Sequence, residues 1–146
     1  MHSFKNPPFH VAPVTISPAR SNKLFAANCR ALADFLETTV NSSFNNEFWF
    51  KDLHQCGTTG CSLGIAAMSH IIPGLQFVYI DNNDNVSDTI TSNIEPTING
   101  KRSDWTAAGK YFFGREAVDR VFLRSYLTKD TAVEQLRNVA SEYEAK

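Results

Sequence analysis

Cys56-Gly57-Thr58-Thr59-Gly60-Cys61-Ser62-Leu63-Gly64-Ile65-Ala66-Ala67-Met68-Ser69-His70 combines two thiols, clustered small residues and an apolar run, with no proline until Pro73. Thr58 or Thr59 supplies a hydroxyl for the unpaired amides of a first turn, so the stretch predicts a helix from about Gly60 to His70. Gly60 and Gly64 fall one turn apart with Ala67 near the same side. Leu63, Ile65, Ala66 and Met68 make the rest of the surface apolar nearly all round, which predicts a buried helix. A glycine within a helix costs about 0.5–1 kcal/mol relative to alanine, so the pair is best explained by a close approach of neighbouring elements. The expected fold is α+β and mostly helical, with four or five helices around this small-residue helix and one β-hairpin or small antiparallel sheet.

The thiols open three chemical readings. Cys61 sits in the first turn, where the helix dipole favours a thiolate, and Cys56 lies just upstream. A thiol nucleophile needs a base, and the four histidines are His2, His10, His54 and His70. His54 is the nearest candidate, whereas a papain-like order requires a histidine far downstream of the cysteine. Zinc is the second reading, from His54, Cys56, Cys61 and His70. The ~1.5 Å rise per residue separates Cys61 from His70 by roughly 13 Å, too far for one tetrahedral site. A Cys56–Cys61 disulfide or redox pair is the third. It is not a Cys-x-x-Cys motif, and Cys29 leaves the count odd at three, so reduced, buried thiols are the expected state.

Upstream, Phe44, Phe48, Trp49, Phe50 and Leu53 form a dense aromatic cluster, the usual composition of core and less often of a ligand pocket. Ahead of Asn41-Ser42-Ser43, a helix is expected to start at Ser17-Pro18 and run to about Thr39. Phe25, Cys29, Leu32 and Leu36 form its core stripe, flanked by Leu24, Ala31 and Phe35. Residues 1–18 hold Pro7, Pro8, Pro13 and Pro18 between Phe4, Phe9, Val11, Val14 and Ile16. They read as an extended arm that packs on its own domain or docks on a neighbouring copy or a partner, with residues 19–146 as one globular domain.

Downstream, Leu75-Gln76-Phe77-Val78-Tyr79-Ile80 is the clearest strand, and Val86 to Ile94 is its expected return across Asp81-Asn82-Asn83-Asp84-Asn85. Asp81, Asn83 and Asn85 match the first ligand positions of a calcium loop, but Val86 replaces its glycine and Ser92 its bidentate glutamate. Pro96 to Arg102 reads as a loop. Ser103 or Asp104 caps a helix through Tyr111-Phe112-Phe113, with Gly114 as a left-handed terminator. A short helix follows, with Glu116 and Arg120 paired one turn apart and Val118, Val121 and Phe122 inside. Thr131-Ala132-Val133-Glu134 reads as a capping box opening a last helix that buries Val133, Leu136, Ala140 and Tyr143.

Arg30-Ala31-Leu32-Ala33-Asp34-Phe35-Leu36-Glu37, Phe44-Asn45-Asn46-Glu47-Phe48-Trp49, Cys56-Gly57-Thr58-Thr59-Gly60-Cys61-Ser62-Leu63-Gly64 and Tyr111-Phe112-Phe113-Gly114 together carry a resemblance. They are similar to a family of small bacterial and phage proteins with a Phe-x-Met-x-x-Trp block followed by Cys-Gly-Thr-x-x-Cys and a small-residue helix. Asn46 stands where that pattern has methionine, and Ile65 where it often has histidine or tryptophan. The resemblance implies a compact intracellular protein and brings no catalytic residues and no function with it.

The 146 residues are 42% hydrophobic and 20% charged, as in an ordinary globular chain. The net charge of −1 is uneven: residues 1–40 carry +2, residues 41–100 carry −5 and residues 101–146 carry +2. No clustered cations suit a phosphate backbone, so nucleic acid is not an expected partner. No run approaches the roughly 20 apolar residues that cross a bilayer, and no secretory layout opens the chain, so the expected location is the cytoplasm. No glycine-rich phosphate loop or paired carboxylates are present, and no cofactor is expected. The leading expectation is a non-enzymatic binding or assembly protein, phage-encoded in line with the resemblance. It would use Phe4, Phe9, Trp49, Asp81 and Asp84 in contacts with a protein partner or with itself. The alternatives are a thiol enzyme or redox protein using Cys61, Cys56 and His54, and a small structural zinc protein; a small-molecule ligand stays open.

Overall fold

The computed structural model describes residues 21–38, 61–91, 93–124 and 127–146. Helix α1 spans Asn22–Thr38, α2 Cys61–Ser69, α3 Trp105–Phe113, α4 Arg115–Ala117 and α5 Lys129–Ala145. Strands β1 (Leu75–Ile80), β2 (Val86–Ser87), β3 (Asn93–Ile98) and β4 (Lys101–Arg102) form one antiparallel sheet in the order β2-β1-β3-β4. The architecture is mostly helical α+β, as the composition and patterning predict.

α2 is the buried centre. Leu63, Ile65, Ala66 and Ala67 are at most 1% exposed, and His70 ends the helix in the left-handed conformation at φ 61°. The N-cap region Thr58–Gly60 lies outside the described residues. A close approach does occur against α2, but through a glycine other than the Gly60–Gly64 pair for which it is expected, Gly109 of α3. A Cβ there would stand 2.9 Å from Val118 Cγ2 and 3.4 Å from Leu63 Cδ2.

α1 begins at Asn22 and not at Ser17-Pro18. Ser21 caps it, its Oγ accepting from Leu24 N at 3.2 Å and its carbonyl from Phe25 N at 2.9 Å. Residues 17–20 lie outside the described set. The expected stripe holds, with Cys29, Leu32 and Leu36 fully buried. α1 and α5 run antiparallel: Phe25 meets the Tyr143 ring at 5.4 Å, Arg30 pairs with Glu144, and Arg137 pairs with Asp34 and Glu37. The last helix opens one turn earlier than the Thr131 box implies. Thr128 is its N-cap, accepting from Thr131 N at 3.2 Å, and Thr131 instead bonds the cap through its own hydroxyl.

The sheet departs most from the sequence expectations. β1 forms where expected, but its return is divided. Val86–Ser87 pairs with Ile80 and Tyr79 on one edge, while Asn93–Ile98 pairs with all six residues of β1 on the other. Pro96 to Arg102 is therefore not a loop. It contains the end of β3, a two-residue turn and β4, with Asn99 at φ 52° and Gly100 at φ 90°. Positive φ at both central residues is the turn that matches the twist of a hairpin. Pro96 is tolerated because its missing N–H falls on the β4 side, just past the end of that two-pair ladder, while its carbonyl there accepts from Ser103 N at 2.9 Å. Alternation puts Leu75, Phe77, Tyr79, Ile94 and Ile98 on the helix side. Val78, Ile80 and Thr97 are buried on the other side, and no described residue bonds Thr97 Oγ1.

α3 starts as expected at Asp104, whose Oδ1 accepts from Ala107 N at 2.7 Å. Its end differs. Gly114 has φ 87° but ψ 164°, an extended glycine conformation and not the left-handed helical one. The reason is crowding. A Cβ at Gly114 would collide with the Tyr143 hydroxyl and stand 2.8 Å from Phe25 Cδ2, so only glycine lets α1 and α5 close over the junction. After α4, Val118–Phe122 forms a π turn closed by Leu123 N to Val118 O at 2.9 Å. That turn buries Val118, Val121 and Phe122 as the sequence predicts.

Candidate functional site

α1, the β3–β4 turn and the two ends of α3 converge on an open groove of about 600 Å³, lined by Phe25, Ile98, Ala107, Lys110, Tyr111, Gly114 and Arg115. Its base is set by polar joints between helices. Asn28, buried on α1, donates from Nδ2 to the Phe112 carbonyl at 2.8 Å, and the Cys29 thiol points at the Phe113 carbonyl at 3.9 Å. Both carbonyls belong to the last turn of α3 and have no helical partner of their own, so α1 holds the end of α3 in place. Tyr143 Oη accepts from Glu116 N at 3.2 Å and fixes the start of α4. Asn99 Nδ2 donates to Tyr111 Oη at 3.3 Å, tying the hairpin turn to α3.

The groove thus has half-buried apolar walls, Phe25, Ile98 and Tyr111, and two exposed cations at its rim, Lys110 and Arg115. Among the described residues Arg115 makes one exposed contact, with Asp119 at 4.0 Å, and Lys110 makes no ion pair. Such a surface suits an extended apolar segment that carries negative charge.

A second hollow of about 430 Å³ lies between the C-terminal end of α1 and the start of α5, lined by Glu37, Asp130, Val133, Glu134, Arg137 and Asn138. Its only cation among the described residues is already engaged: Arg137 donates to Asp34 and Glu37, both at 2.8 Å, and this holds the Glu37 carboxyl below its ordinary range.

Of the residues singled out from the sequence, Phe4, Phe9, Trp49, His54 and Cys56 lie outside the described residues. Cys61 is placed as the first residue of α2, as expected, and its side chain is not among those described. His70 is exposed at the opposite end of that helix. Cys29 is a packed core thiol, pushed up to about 12 by burial and only partly offset by Arg30. Among the described residues no three His, Cys, Asp or Glu side chains gather as a metal site.

Asp81 turns inward on its own loop. Its Oδ1 accepts from Asn83 N at 2.8 Å and from Asn85 N at 3.0 Å. Asp84 sits at φ 66° and binds Arg102, which also takes the Asp84 carbonyl at 2.9 Å and both Glu95 oxygens at 2.8 and 3.0 Å. Among the exposed residues of this end of the sheet are two large apolar side chains, Val86 at 51% and Ile90 at 78%. The sequence reading missed both, because an isolated Val or Ile beside a turn carries no signal of its own exposure. It also missed the groove, whose members come from three stretches far apart in the sequence, around Phe25, Ile98 and residues 107–115.

No family model, characterised protein or solved structure matches the chain. Among the described residues no helix is long and apolar enough to cross a membrane.

Proposed function

We propose that the protein is a non-enzymatic binding or assembly protein acting through protein–protein contacts, phage-encoded in keeping with its sequence resemblance and working in the cytoplasm. The observation that carries the reading is the groove of Phe25, Ile98 and Tyr111 edged by Lys110 and Arg115. Apolar walls supply desolvation energy, while rim cations steer and select a segment of opposite charge. The described thiol adds nothing to a chemical alternative, since Cys29 is enclosed and held protonated.

Native mass spectrometry of the reduced full chain, beside Cys56→Ser/Cys61→Ser and Ala107→Glu variants, tests this. Ala107 is exposed at the third position of α3, where a glutamate favours the helix N-terminus, so the substitution puts a carboxylate among the groove's two cations without weakening the fold. A bound protein, identified by mass and sequenced peptides, should survive the cysteine replacements and be lost with Ala107→Glu. A metal or small-molecule adduct that disappears with Cys56→Ser/Cys61→Ser would overturn the reading in favour of thiol or zinc chemistry.

A further inference from the structure

We infer that the groove's occupant is the Val86–Ile90 segment of a second copy of this chain, giving a head-to-tail contact. This rests on the binding reading above and names its partner. Val86-Ser87-Asp88-Thr89-Ile90 presents two of the three large apolar side chains that are exposed among the described residues. Between residues 71 and 100 the chain has Asp81, Asp84, Asp88 and Glu95 and no lysine or arginine, and the one cation that reaches them, Arg102 on Asp84 and Glu95, leaves four acids against one base at this end of the sheet. The segment is therefore apolar and acidic, and the groove is apolar and edged by Lys110 and Arg115. Charge and hydrophobicity are complementary between two surfaces of the same molecule.

Geometry makes the contact intermolecular. Ile98, in the groove, pairs with Leu75 at one end of β1, and Val86 pairs with Ile80 at the other end. Five residue steps at about 3.4 Å each separate those ends by roughly 17 Å of rigid sheet. The segment is held there by β1 on one side, and β2 is the sheet's terminal strand, so its other side faces outward. It cannot turn back into its own groove, but it is presented to another molecule's. Because the two patches are different surfaces, the contact is heterologous. Repetition then builds a ring where the rotation closes and an open chain of subunits where it does not.

Analytical ultracentrifugation of the full chain tests this with two variants. Ile90→Lys removes the inserted side chain and cancels the segment's single negative charge, Asp88. Ala107→Glu disables the groove and leaves the segment intact. Both positions are exposed, and circular dichroism checks that each variant is folded. The wild type should associate with rising concentration, and each variant alone should do so about tenfold or more weakly. Mixed in equal amounts, the two variants retain one working groove and one working segment, so they should form a 1:1 dimer that grows no further. A wild type monomeric at every concentration, or variants that fail to complement each other, overturns the inference. The binding reading is judged separately. A monomer that still carries a different protein, lost with Ala107→Glu, leaves that reading standing without the second copy; a monomer that carries none, or keeps it in that variant, sinks both.

Discussion

Cys29 stands where three parts of the molecule meet: it is fully buried on α1, its thiol faces the end of α3, and its field reaches Tyr143 of α5. Burial raises the Cys29 thiol from 9.0 to about 12, the nearby Arg30 opposing this only weakly. Tyr143 is raised too, first by burial and then by Cys29. The native state therefore keeps protons that the unfolded chain releases. Stability is complete below the unfolded thiol value and falls as pH rises from 9.0 toward about 12. One proton retained in this way gives a slope of up to about 1.4 kcal/mol per pH unit. Urea midpoints measured across that range should decline steadily, and Cys29→Ala should flatten the decline while lowering stability at neutral pH through the small void it leaves. An unchanged slope in Cys29→Ala would show that the thiol is not the group responsible.

Between residues and the whole molecule, single side chains decide how elements meet. Arg102 on the two-residue strand β4 holds the β1–β2 turn through Asp84 and β3 through Glu95, with four donor contacts of 2.8–3.0 Å. A planar fork reaches both carboxylates and a carbonyl at once, and an ammonium cannot. Arg102→Lys keeps the charge and should still lose most of the effect. Hydrogen exchange at the Asp84, Asn85 and Lys101 amides should speed up several-fold, with global stability lowered by no more than about 1 kcal/mol because the network is surface-exposed. Exchange unchanged from wild type would mean that the turn holds itself through Asp81 alone. This end of the sheet also shows what the sequence could and could not reveal. β1, α3 and the buried faces of α1 and α5 follow from apolar spacing, which directly reports a buried side. Asn99-Gly100 suits a two-residue hairpin turn, but Pro96 within the preceding segment reads as a loop, and it is the bond of the Pro96 carbonyl to Ser103 N that carries β3 through it. The groove had no such spacing. Phe25, Ile98 and Lys110 are unremarkable in their own segments and meet only because α1 caps the end of α3 and Gly114 lets Tyr143 close over it.

For the molecule as a whole, the small net charge conceals a division that the fold turns into two poles. The acidic loops collect at the Ile80 end of β1, and the cations Lys110 and Arg115 border the groove beside Ile98 at the other. A copy meeting another head to tail brings unlike poles together, whereas a two-fold arrangement through either pole alone would bring like charges together. Ionic strength separates these cases. Raising salt from about 0.1 M to about 1 M shortens the Debye length from about 10 Å to about 3 Å, which screens rim charges and leaves apolar burial intact. Self-association of the head-to-tail kind should therefore weaken several-fold across that range, chiefly through slower association, because rim charges steer encounter more than they hold the complex. Sedimentation at matched protein concentration reads the weakening, and stopped-flow mixing of the Ile90→Lys and Ala107→Glu variants reads the rate. The variant pair sharpens the result, because each substitution changes one pole only: Ile90→Lys reduces the acidic pole and Ala107→Glu the basic one. Association that strengthens with salt would point instead to copies joined through like-charged surfaces, and the groove would then have to be filled by something other than the loop.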